Sequence, residues 1–464
     1  MYMIRTRFAP SPTGFMHIGG LRTALFCYLH AKKMGGKFIL RIEDTDQSRF
    51  VEGAAEKIFE TLKVAGLIYD EGPDVGGLYA PYTQSQRKEL YLKHALELVA
   101  KGGAYYCDCK KTEEGEEAVV CACKGRQGEV DKAAPHVIRH ATPAEGQTTF
   151  VDQVFGEITV ENSEIDDQVL IKSDGMPTYN FANVVDDHAM AITHVMRGSE
   201  FLSSTPKHKL LYEAFGWGVP TFVHLPLIVR AGGGKLSKRD GDAYFEDYVG
   251  QGLLVEALVN FVALLGFAPS GEQEIFTLEE LCQVFDIKGI SKSPATFDMQ
   301  KLRWMNGEYI KNMPLDKLME VAKPYIDAAV KRDDIDKVAL LDIVKSRIAT
   351  LAEIPEMLDF IDVLPEYSTE IFINSKSKAD EATAKNILTK ILPKIEASKE
   401  GDDLYKILTD LAAEEGVKNP IVLWPVRCAL AGKETSPGGA SDLLKIFGKE
   451  ESIKRIKAAL EKLG

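Results

Sequence analysis

The apolar residues near the start of the chain predict strands and helices in alternation. Ile4 to Phe8 is predicted as a strand, and from His17 onward apolar residues recur at helical spacing until Gly35 and Gly36. Lys37 to Ile42 is predicted as a second, buried strand, and a second helix follows it. The pattern indicates a βαβ unit with the turn after the first strand at its ligand-binding end.

Residues 81–180 interrupt this alternation. They contain a predicted helix from Leu90 to Val99, a cysteine-rich loop, and short predicted strands such as His136 to Arg139 and Val169 to Lys172. Alternating strands and helices then resume over residues 194–225, and a glycine-rich loop follows. We therefore expect an inserted domain within a split nucleotide-binding sheet whose two halves meet around one site.

The remainder of the chain, from Leu253 on, is predicted to be almost entirely helical. Leu253 to Val259 opens this region, and Ile453 to Leu463 closes it. Its lysines, including those between Lys385 and Lys394, suit a solvated helix face as well as an RNA contact.

Composition and charge narrow the class of protein. The chain has 464 residues, of which 45% are hydrophobic and 27% charged, as is typical of soluble globular proteins. The net charge of −13 argues against a general polyanion binder, but basic side chains clustered on one face could still bind nucleic acid. The start of the chain has no signal-peptide pattern, and no apolar run reaches about 18 residues. We expect a cytoplasmic protein without a membrane span.

Two separated segments carry the candidate chemistry. Residues 8–20, FAPSPTGFMHIGG, predict a stiff Pro/Gly turn into a helix, where backbone N–H groups and His17 would face an anion. Gly19 and Gly20 would let a purine or ribose lie close to that helix. Residues 235–239, KLSKR, would bring ammonium groups from a mobile loop. Together the two segments predict attack on the α-phosphate of ATP, where negative charge grows in the transition state.

These segments resemble two signatures of class I aminoacyl-tRNA synthetases. His17 to Gly20 is similar to the HIGH signature, with glycine at its last position as glutamyl enzymes commonly show, and KLSKR is similar to KMSKS. Further segments narrow the resemblance to the bacterial-type glutamyl-tRNA synthetases over essentially the whole chain. They are RFAPSPTG at 7–14, RIEDTD at 41–46, PTYNFANVVDDH at 177–188 and KLRWMNG at 301–307.

The resemblance implies a fold class and a division of the chain. The fold would be α/β, a split Rossmann-like catalytic domain with an inserted α+β domain for the tRNA acceptor end and an all-α anticodon-binding region. The implied parts are residues 1–80 and 181–250 for catalysis, 81–180 for the insertion, 251–320 for a stem-contact linking domain, and 321–464 for the anticodon-binding region.

The resemblance also implies the reaction and its residues. L-Glutamate and ATP, accompanied by Mg²⁺, would form glutamyl-adenylate, and the glutamyl group would pass to the 3′ end of tRNA(Glu), with activation dependent on bound tRNA. The implied catalytic residues are His17, Lys235 and Lys238; those for ATP are Thr13, Gly14, His17, Gly19, Gly20 and Lys238; those for the amino acid are Arg7, Ser11, Glu43, Tyr179, Asn183 and Arg197.

Charge agrees with an acidic amino acid as the substrate. Glu43 at a strand end suits an ammonium group, and two arginines near one small acid would reject glutamine. A buried guanidinium left without its carboxylate costs about 2–5 kcal/mol. Helix capping is an alternative role for Glu43 and its acidic neighbours Asp44 and Asp46, and a surface ion pair is an alternative for Arg197. His188 and His194 are expected to be structural.

Specificity for the tRNA is less constrained. Arg347, within KSRIATL at 345–351, falls where the family has an arginine that reads the third anticodon base in discriminating enzymes, which favours strict specificity. The rivals are a non-discriminating synthetase that also charges tRNA(Gln), a shortened relative that modifies a nucleoside in tRNA, and a catalytically silent RNA-binding scaffold. The helical C-terminal region disfavours the second, and an intact His17, Glu43 and Lys238 disfavour the third. A monomer is expected.

Four of the seven cysteines lie within seventeen residues. They are Cys107, Cys109, Cys121 and Cys123, which are close enough along the chain to hold one tetrahedral Zn²⁺. Disulfides, disfavoured in a reducing cytoplasm, and inert free thiols are the alternatives. Some glutamyl enzymes hold zinc at this point, but with a different later ligand spacing. The other cysteines, Cys27, Cys282 and Cys428, are expected to be buried side chains.

Overall fold

The computed structural model of the chain describes two compact units. The first comprises residues 1–249 and 255–299, and the second comprises 250–254 and 300–464. Over the described part of the chain, no helix is long and apolar enough to cross a membrane. The described residues are 3–49, 51–109, 122–125, 130, 135–234, 244–376, 379–399 and 401–464.

The first unit combines strands and helices. Its strands are β1 (Arg5–Phe8), β2 (Lys37–Leu40), β3 (Ala104–Cys107), β4 (Val137–His140), β5 (Gln147–Asp152), β6 (Gly156–Glu161), β7 (Val169–Ile171), β8 (His194–Gly198), β9 (Thr221–Leu225), β10 (Ile228–Arg230) and β11 (Ala295–Phe297). Its helices are α1 (Ile18–Lys33), α2 (Ala54–Val64), α3 (Lys88–Ala100), α4 (Tyr179–Ala189), α5 (Thr205–Phe215), α6 (Phe245–Gly250, in this unit to Val249), α7 (Val255–Ala263) and α8 (Leu278–Val284).

The central sheet of this unit has, within the described residues, six strands in the order β2-β1-β8-β9-β5-β6. The first five are parallel to their neighbours, and β6 pairs antiparallel with β5 at the edge. Every residue of β1 is buried, as expected for a parallel strand covered on both faces. The predicted strands and helices of the split sheet are therefore confirmed in type and order.

The hairpin of β5 and β6 departs from the expected arrangement. From the sequence, residues 81–180 were predicted to form one insertion, but this hairpin extends the central sheet. Phe150 of β5 packs edge-on against Phe222 of β9, with ring centroids 6.0 Å apart. The rest of that range forms a separate antiparallel sheet, β3-β4-β7, packed against α3 and α4 around Leu98, Leu170 and Phe181. The four-part domain division stays a prediction.

The second unit is helical, as predicted. A buried arginine, Arg455, connects separate segments of this unit. The guanidinium of Arg455 donates to the backbone oxygens of Phe360, Ile361 and Leu430, and its Nε pairs with Glu451 at 2.9 Å. The helices are α9 (Met299–Asn312, in this unit from Gln300), α10 (Leu315–Ala329), α11 (Lys337–Val344), α12 (Ile354–Leu358), α13 (Glu381–Ala397), α14 (Leu404–Glu414), α15 (Asn419–Ala431) and α16 (Ala440–Lys462, kinked at Gly448). The expectation of an almost entirely helical chain beyond Leu253 missed β11, whose three residues are too few to show a period.

Candidate active site

A cavity of about 660 Å³ opens at the carboxyl ends of β1 and β8. From β1 the chain continues to β2 on one side of the sheet, and from β8 it continues to β9 on the other. Parallel sheets bind ligands where the strand order reverses in this way. The predicted residues that line the cavity are Arg7, Ser11, His17, Gly19, Gly20, Glu43, Tyr179 and Arg197.

His17 begins α1 as its N-cap. Its backbone is extended (φ −72°, ψ 147°), and its Nδ1 accepts a hydrogen bond from the backbone N–H of Gly19 at 3.1 Å. Since Nδ1 is an acceptor, a neutral His17 carries its proton on Nε2. The side chain is thus a hydrogen-bond donor at the positive end of a sixteen-residue helix, beside the cavity.

Arg7 points from β1 into a buried ion pair. It is 3% exposed, its Nε donates to Asp187 Oδ1 at 3.0 Å, and its Nη1 donates to the backbone oxygen of Met196 at 3.2 Å. Asp187 raises the pKa of Arg7 against the opposing effect of burial. Arg7 is therefore fixed in place and permanently charged at the cavity wall.

Glu43 lies opposite, just beyond the end of β2. Arg41 donates to Glu43 Oε1 at 2.8 Å and to Asp187 Oδ1 at 2.7 Å, so one fully buried guanidinium connects the two carboxylates. Burial raises the pKa of Glu43 above its ordinary value, although Arg41 and Arg7 oppose this effect. Helix capping, the alternative role considered for Glu43, is not its contact here.

The neighbours Asp44 and Asp46 have local roles. Asp44 Oδ1 accepts from the backbone N–H of Ser85 at 2.8 Å, and Asp46 accepts from the backbone and hydroxyl of Ser48 at the start of a 3₁₀ turn. The capping alternative therefore holds for Asp46.

Arg197, near the end of β8, is 5% exposed, so the alternative of a surface ion pair is wrong. Its Nε donates to His224 Nε2 at 3.1 Å, and its Nη2 donates to Thr205 Oγ1 at 2.9 Å and to His208 Nδ1 at 3.0 Å. His224 in turn meets Asp152 Oδ2 through Nδ1 at 2.7 Å. Burial lowers the pKa of Arg197 below its ordinary value.

Tyr179 begins α4 and lines the cavity, with its ring against Phe201 at 5.4 Å between centroids. Burial, with the nearby Glu43, raises its pKa. Asn183 lies one turn further along α4, buried and outside the cavity lining, and its Nδ2 makes no hydrogen bond within the described structure.

A second cavity of about 590 Å³ shares Ser11, Glu43 and Tyr179 with the first. Thr13 lines this second cavity, whereas Gly14 is not among the described residues that line either one. Lys235 and Lys238 lie outside the described residues.

Three of the four cysteines predicted to bind zinc lie together in the structure. The sulfur atoms of Cys107, Cys109 and Cys123 lie within 4.8 Å of one another, which suits thiolate ligands of one tetrahedral ion. Cys121 lies outside the described residues. Of the remaining cysteines, Cys27 and Cys428 are buried as predicted, and Cys282 is half-buried.

Arg347 belongs to the second unit. It is exposed in the turn that follows α11. Nearby, Arg427 stacks over the ring of Trp424 at 4.5 Å, and the positive charge of Arg347 contributes to a lowered pKa at Arg427, after the larger effect of burial.

Several residues that support the site were given no role from the sequence. Arg41 and Asp187, which lie within the motifs, connect the two sides of the cavity, and Asp152, His208 and His224, which lie outside them, support Arg197. A charged residue inside an otherwise apolar strand, such as Arg41 in KFILRI, was the available signal. Its partner could not be read from the sequence.

Comparisons with known proteins match this chain to tRNA synthetases over nearly its whole length. The family described as tRNA synthetases class I (E and Q), catalytic domain, matches residues 3–304, and the family described as anticodon binding domain matches residues 317–460. A glutamate–tRNA ligase of Clostridium kluyveri is 52% identical, covering 100% of this chain and 99% of that protein. A glutamate–tRNA ligase of Clostridium novyi is 51% identical over 99% and 98% of the two chains.

The solved structures show the same relationship. A glutamate tRNA ligase from Elizabethkingia meningosepticum, crystallised in complex with its amino acid, superposes with a TM-score of 0.88 at 34% identity over 100% of both chains. A glutamate-tRNA synthetase from Elizabethkingia anophelis gives a TM-score of 0.85 at 34% identity, covering 99% of this chain and 100% of that one.

Proposed function

Because this chain belongs to the class I tRNA synthetases for glutamate and glutamine, we propose that it activates L-glutamate with ATP and transfers the glutamyl group to the 3′ end of tRNA(Glu). One observation carries this proposal: Arg7, Glu43 and Arg197 converge with His17 on a single cavity. An α-amino acid with an acidic side chain offers one ammonium group and two carboxylates, which match the buried carboxylate of Glu43 and the buried guanidinium groups of Arg7 and Arg197.

The first step is attack by a substrate carboxylate oxygen on the α-phosphorus of ATP. A new P–O bond forms, the bond to the pyrophosphate oxygen breaks, and pyrophosphate leaves. The Nε2–H of His17 and the N-terminus of α1 stabilise the negative charge that develops on the phosphate. Mg²⁺, when bound with ATP, neutralises phosphate charge.

The amino acid is held by groups that the fold has already oriented. Glu43 binds the ammonium group, and Arg7 and Arg197 bind carboxylates, with Tyr179, Ser11 and Asn183 around them. Lys235 and Lys238 are proposed to contact the triphosphate from their loop, and Thr13, Gly14, Gly19 and Gly20 to accommodate ATP. In the second step, a ribose hydroxyl of the tRNA attacks the adenylate carbonyl and AMP leaves, so no protein nucleophile is needed.

Anticodon recognition is proposed for the second unit. The exposed Arg347 and the stacked pair of Arg427 on Trp424 offer cationic and aromatic contacts of the kind that bind unpaired bases. We propose that Arg347 contributes to selecting tRNA(Glu) over tRNA(Gln).

A structural Zn²⁺ is proposed at the cysteine cluster. Cys107, Cys109 and Cys123 would supply thiolates, with Cys121 as the expected fourth ligand. The ion would hold Cys107 and Cys109 close to Cys123 and take no part in the reaction. We further propose that the enzyme acts in the cytoplasm, where it meets tRNA, and as a monomer, since every residue invoked belongs to one chain.

Pyrophosphate exchange tests the proposed reaction. Labelled pyrophosphate should enter ATP with glutamate as the amino acid when tRNA(Glu) is present, and not with glutamate alone. Exchange that is strong without tRNA would contradict the tRNA dependence, and no exchange with glutamate and tRNA(Glu) would contradict the reaction itself. Lys238→Ala should slow exchange far more than it weakens tRNA binding, whereas equal losses would favour an RNA-binding scaffold.

A further inference from the structure

The buried guanidinium of Arg197 is surrounded by uncharged acceptors. Its side chain donates to His224, His208 and Thr205 and also interacts with the hydroxyl of Tyr179, and among the described residues no carboxylate lies within ion-pair distance of it. Arg7 differs, because Asp187 already pairs with it at 3.0 Å. Of the two arginines proposed to bind the amino acid, Arg7 is therefore paired with a carboxylate, whereas Arg197 has no directly paired carboxylate among the described residues.

The two histidines can act this way only in defined tautomers. A guanidinium has donors and no acceptor, so His224 Nε2 and His208 Nδ1 must both carry lone pairs. The proton of His224 is then on Nδ1, directed at Asp152 Oδ2 at 2.7 Å, and the proton of His208 is on Nε2, directed at Asn180 Oδ1 at 2.9 Å. Burial, with Arg197 adding to it, lowers the pKa of both histidines, in agreement with neutral rings.

The two histidines orient the guanidinium of Arg197 without neutralising its charge. A neutral imidazole holds the guanidinium in place without cancelling its charge. The ring of His224 lies between Arg197 and Asp152, so the carboxylate of Asp152 does not contact the guanidinium directly. A carboxylate in direct contact would hold the guanidinium equally well but would remove much of its attraction for an anionic ligand.

We propose that His224 and His208, with Asp152 fixing the tautomer of His224, are positioning residues that set the preference of this site for an acidic over an amide side chain. The inference rests on the proposed function and adds to it that Arg197 faces the side-chain carboxylate of glutamate. Glutamate and glutamine share the ammonium and α-carboxylate groups, so only the charge that faces the end of the side chain can distinguish them.

The test compares an anionic with a neutral substitution at each histidine. The probes are the non-hydrolysable glutamyl- and glutaminyl-sulfamoyl adenosines, whose binding to the full chain is measured by calorimetry. His224→Gln and His208→Gln keep an uncharged acceptor and should hold the ratio of the two affinities within about threefold of the parent. His224→Glu and His208→Glu should lower that ratio by about tenfold or more, mainly through weaker binding of the glutamyl probe.

The outcomes separate this inference from the proposed function. If the parent chain binds neither probe, the proposed function is contradicted. If the parent prefers the glutamyl probe and a folded Glu variant keeps the same preference, the inference is overturned, since Arg197 would then face a group that both amino acids share. Circular dichroism identifies a variant that does not fold, and the other histidine then supplies the comparison.

Discussion

Asp187 of α4 fixes Arg7 of β1 by a buried ion pair, with Nε and Oδ1 3.0 Å apart although the residues are separated by 180 positions in the chain. The same oxygen accepts a hydrogen bond from Arg41, which in turn holds Glu43. The cationic and anionic walls of the amino-acid cavity are thus parts of one connected network, and the geometry of one depends on the other.

Asp187→Asn is expected to weaken glutamate binding. The variant keeps the shape of the side chain but removes the charge that orients Arg7 and Arg41, and hydrogen bonds to charged groups contribute about 1.5–3 kcal/mol. We expect the KM for glutamate to rise roughly 10- to 150-fold by the same arithmetic, with a much smaller change in the KM for ATP. Steady-state aminoacylation kinetics measure both constants.

Asp186→Asn is the matched control for this change. Asp186 is the adjacent buried aspartate of α4, but its closest ion pair is with Arg87 at 2.7 Å, and it also accepts from Tyr91 and Gln84. Its loss should lower stability and leave the KM for glutamate nearer to the parent value. Equal effects of the two substitutions on that KM would show that Asp187 has no special role.

Stability should fall as the pH is lowered from 6.5 to 4. Burial lowers the pKa of His140 to about 4, so in this interval the unfolded chain binds a proton that the folded chain excludes. Above pH 6.5 His140 is neutral in the folded and the unfolded chain and does not change the free energy of unfolding. As the pH falls toward 4, protonation of the unfolded chain lowers the free energy of unfolding by about 3 kcal/mol at most. His140→Gln should flatten the pH dependence of the thermal unfolding midpoint relative to the parent. Identical profiles for the parent and His140→Gln would contradict this assignment.

Zinc should co-purify with the protein at about one ion per chain. Cys123→Ser should lose most of it, because the Cys123 sulfur lies in the cluster with those of Cys107 and Cys109. Cys282→Ser, outside the cluster, should retain it. Elemental analysis after gel filtration measures the content. A well-folded parent protein that holds no zinc after expression in zinc-replete medium would rule out the proposed metal site.

Arg347→Ala should weaken recognition of the tRNA without altering the chemistry at the amino-acid cavity. A lost base contact costs about 1–3 kcal/mol, which predicts a rise of roughly 5- to 150-fold in the KM for tRNA(Glu). At saturating tRNA, the KM for glutamate should not change. Arg332→Ala, which removes a cation paired with Asp334 in the same unit, serves as the control. An unchanged KM for tRNA(Glu) in the Arg347 variant would remove this residue from the recognition surface.

The sequence predicted the local part of this structure well. The strand before His17 and the helix after it follow from apolar spacing and from a Pro/Gly turn, both of which act between near neighbours. The addition of β5 and β6 to the central sheet was not predictable, because β5 pairs with β9, which lies about seventy residues further along the chain.

For the site, the sequence predicted the residues that line the cavity but not the residues that hold them in place. Motifs predicted that Arg7, Glu43 and Arg197 contact the substrate, and the structure brings the three residues to one cavity. The residues that hold them were not identified, since Arg41 meets Asp187 across 146 positions and a sequence pattern carries no information about such a contact. Likewise, nothing in the sequence indicated that Arg197 is held by neutral histidines while Arg7 is held by a carboxylate.

Charging of separate tRNA(Glu) and tRNA(Gln) with labelled glutamate tests the central claim most directly. We predict ATP-dependent attachment of glutamate to tRNA(Glu), and little or none to tRNA(Gln). Failure to charge tRNA(Glu) by a folded preparation supplied with ATP and Mg²⁺ would contradict the proposed function, and equal charging of both tRNAs would contradict its proposed specificity.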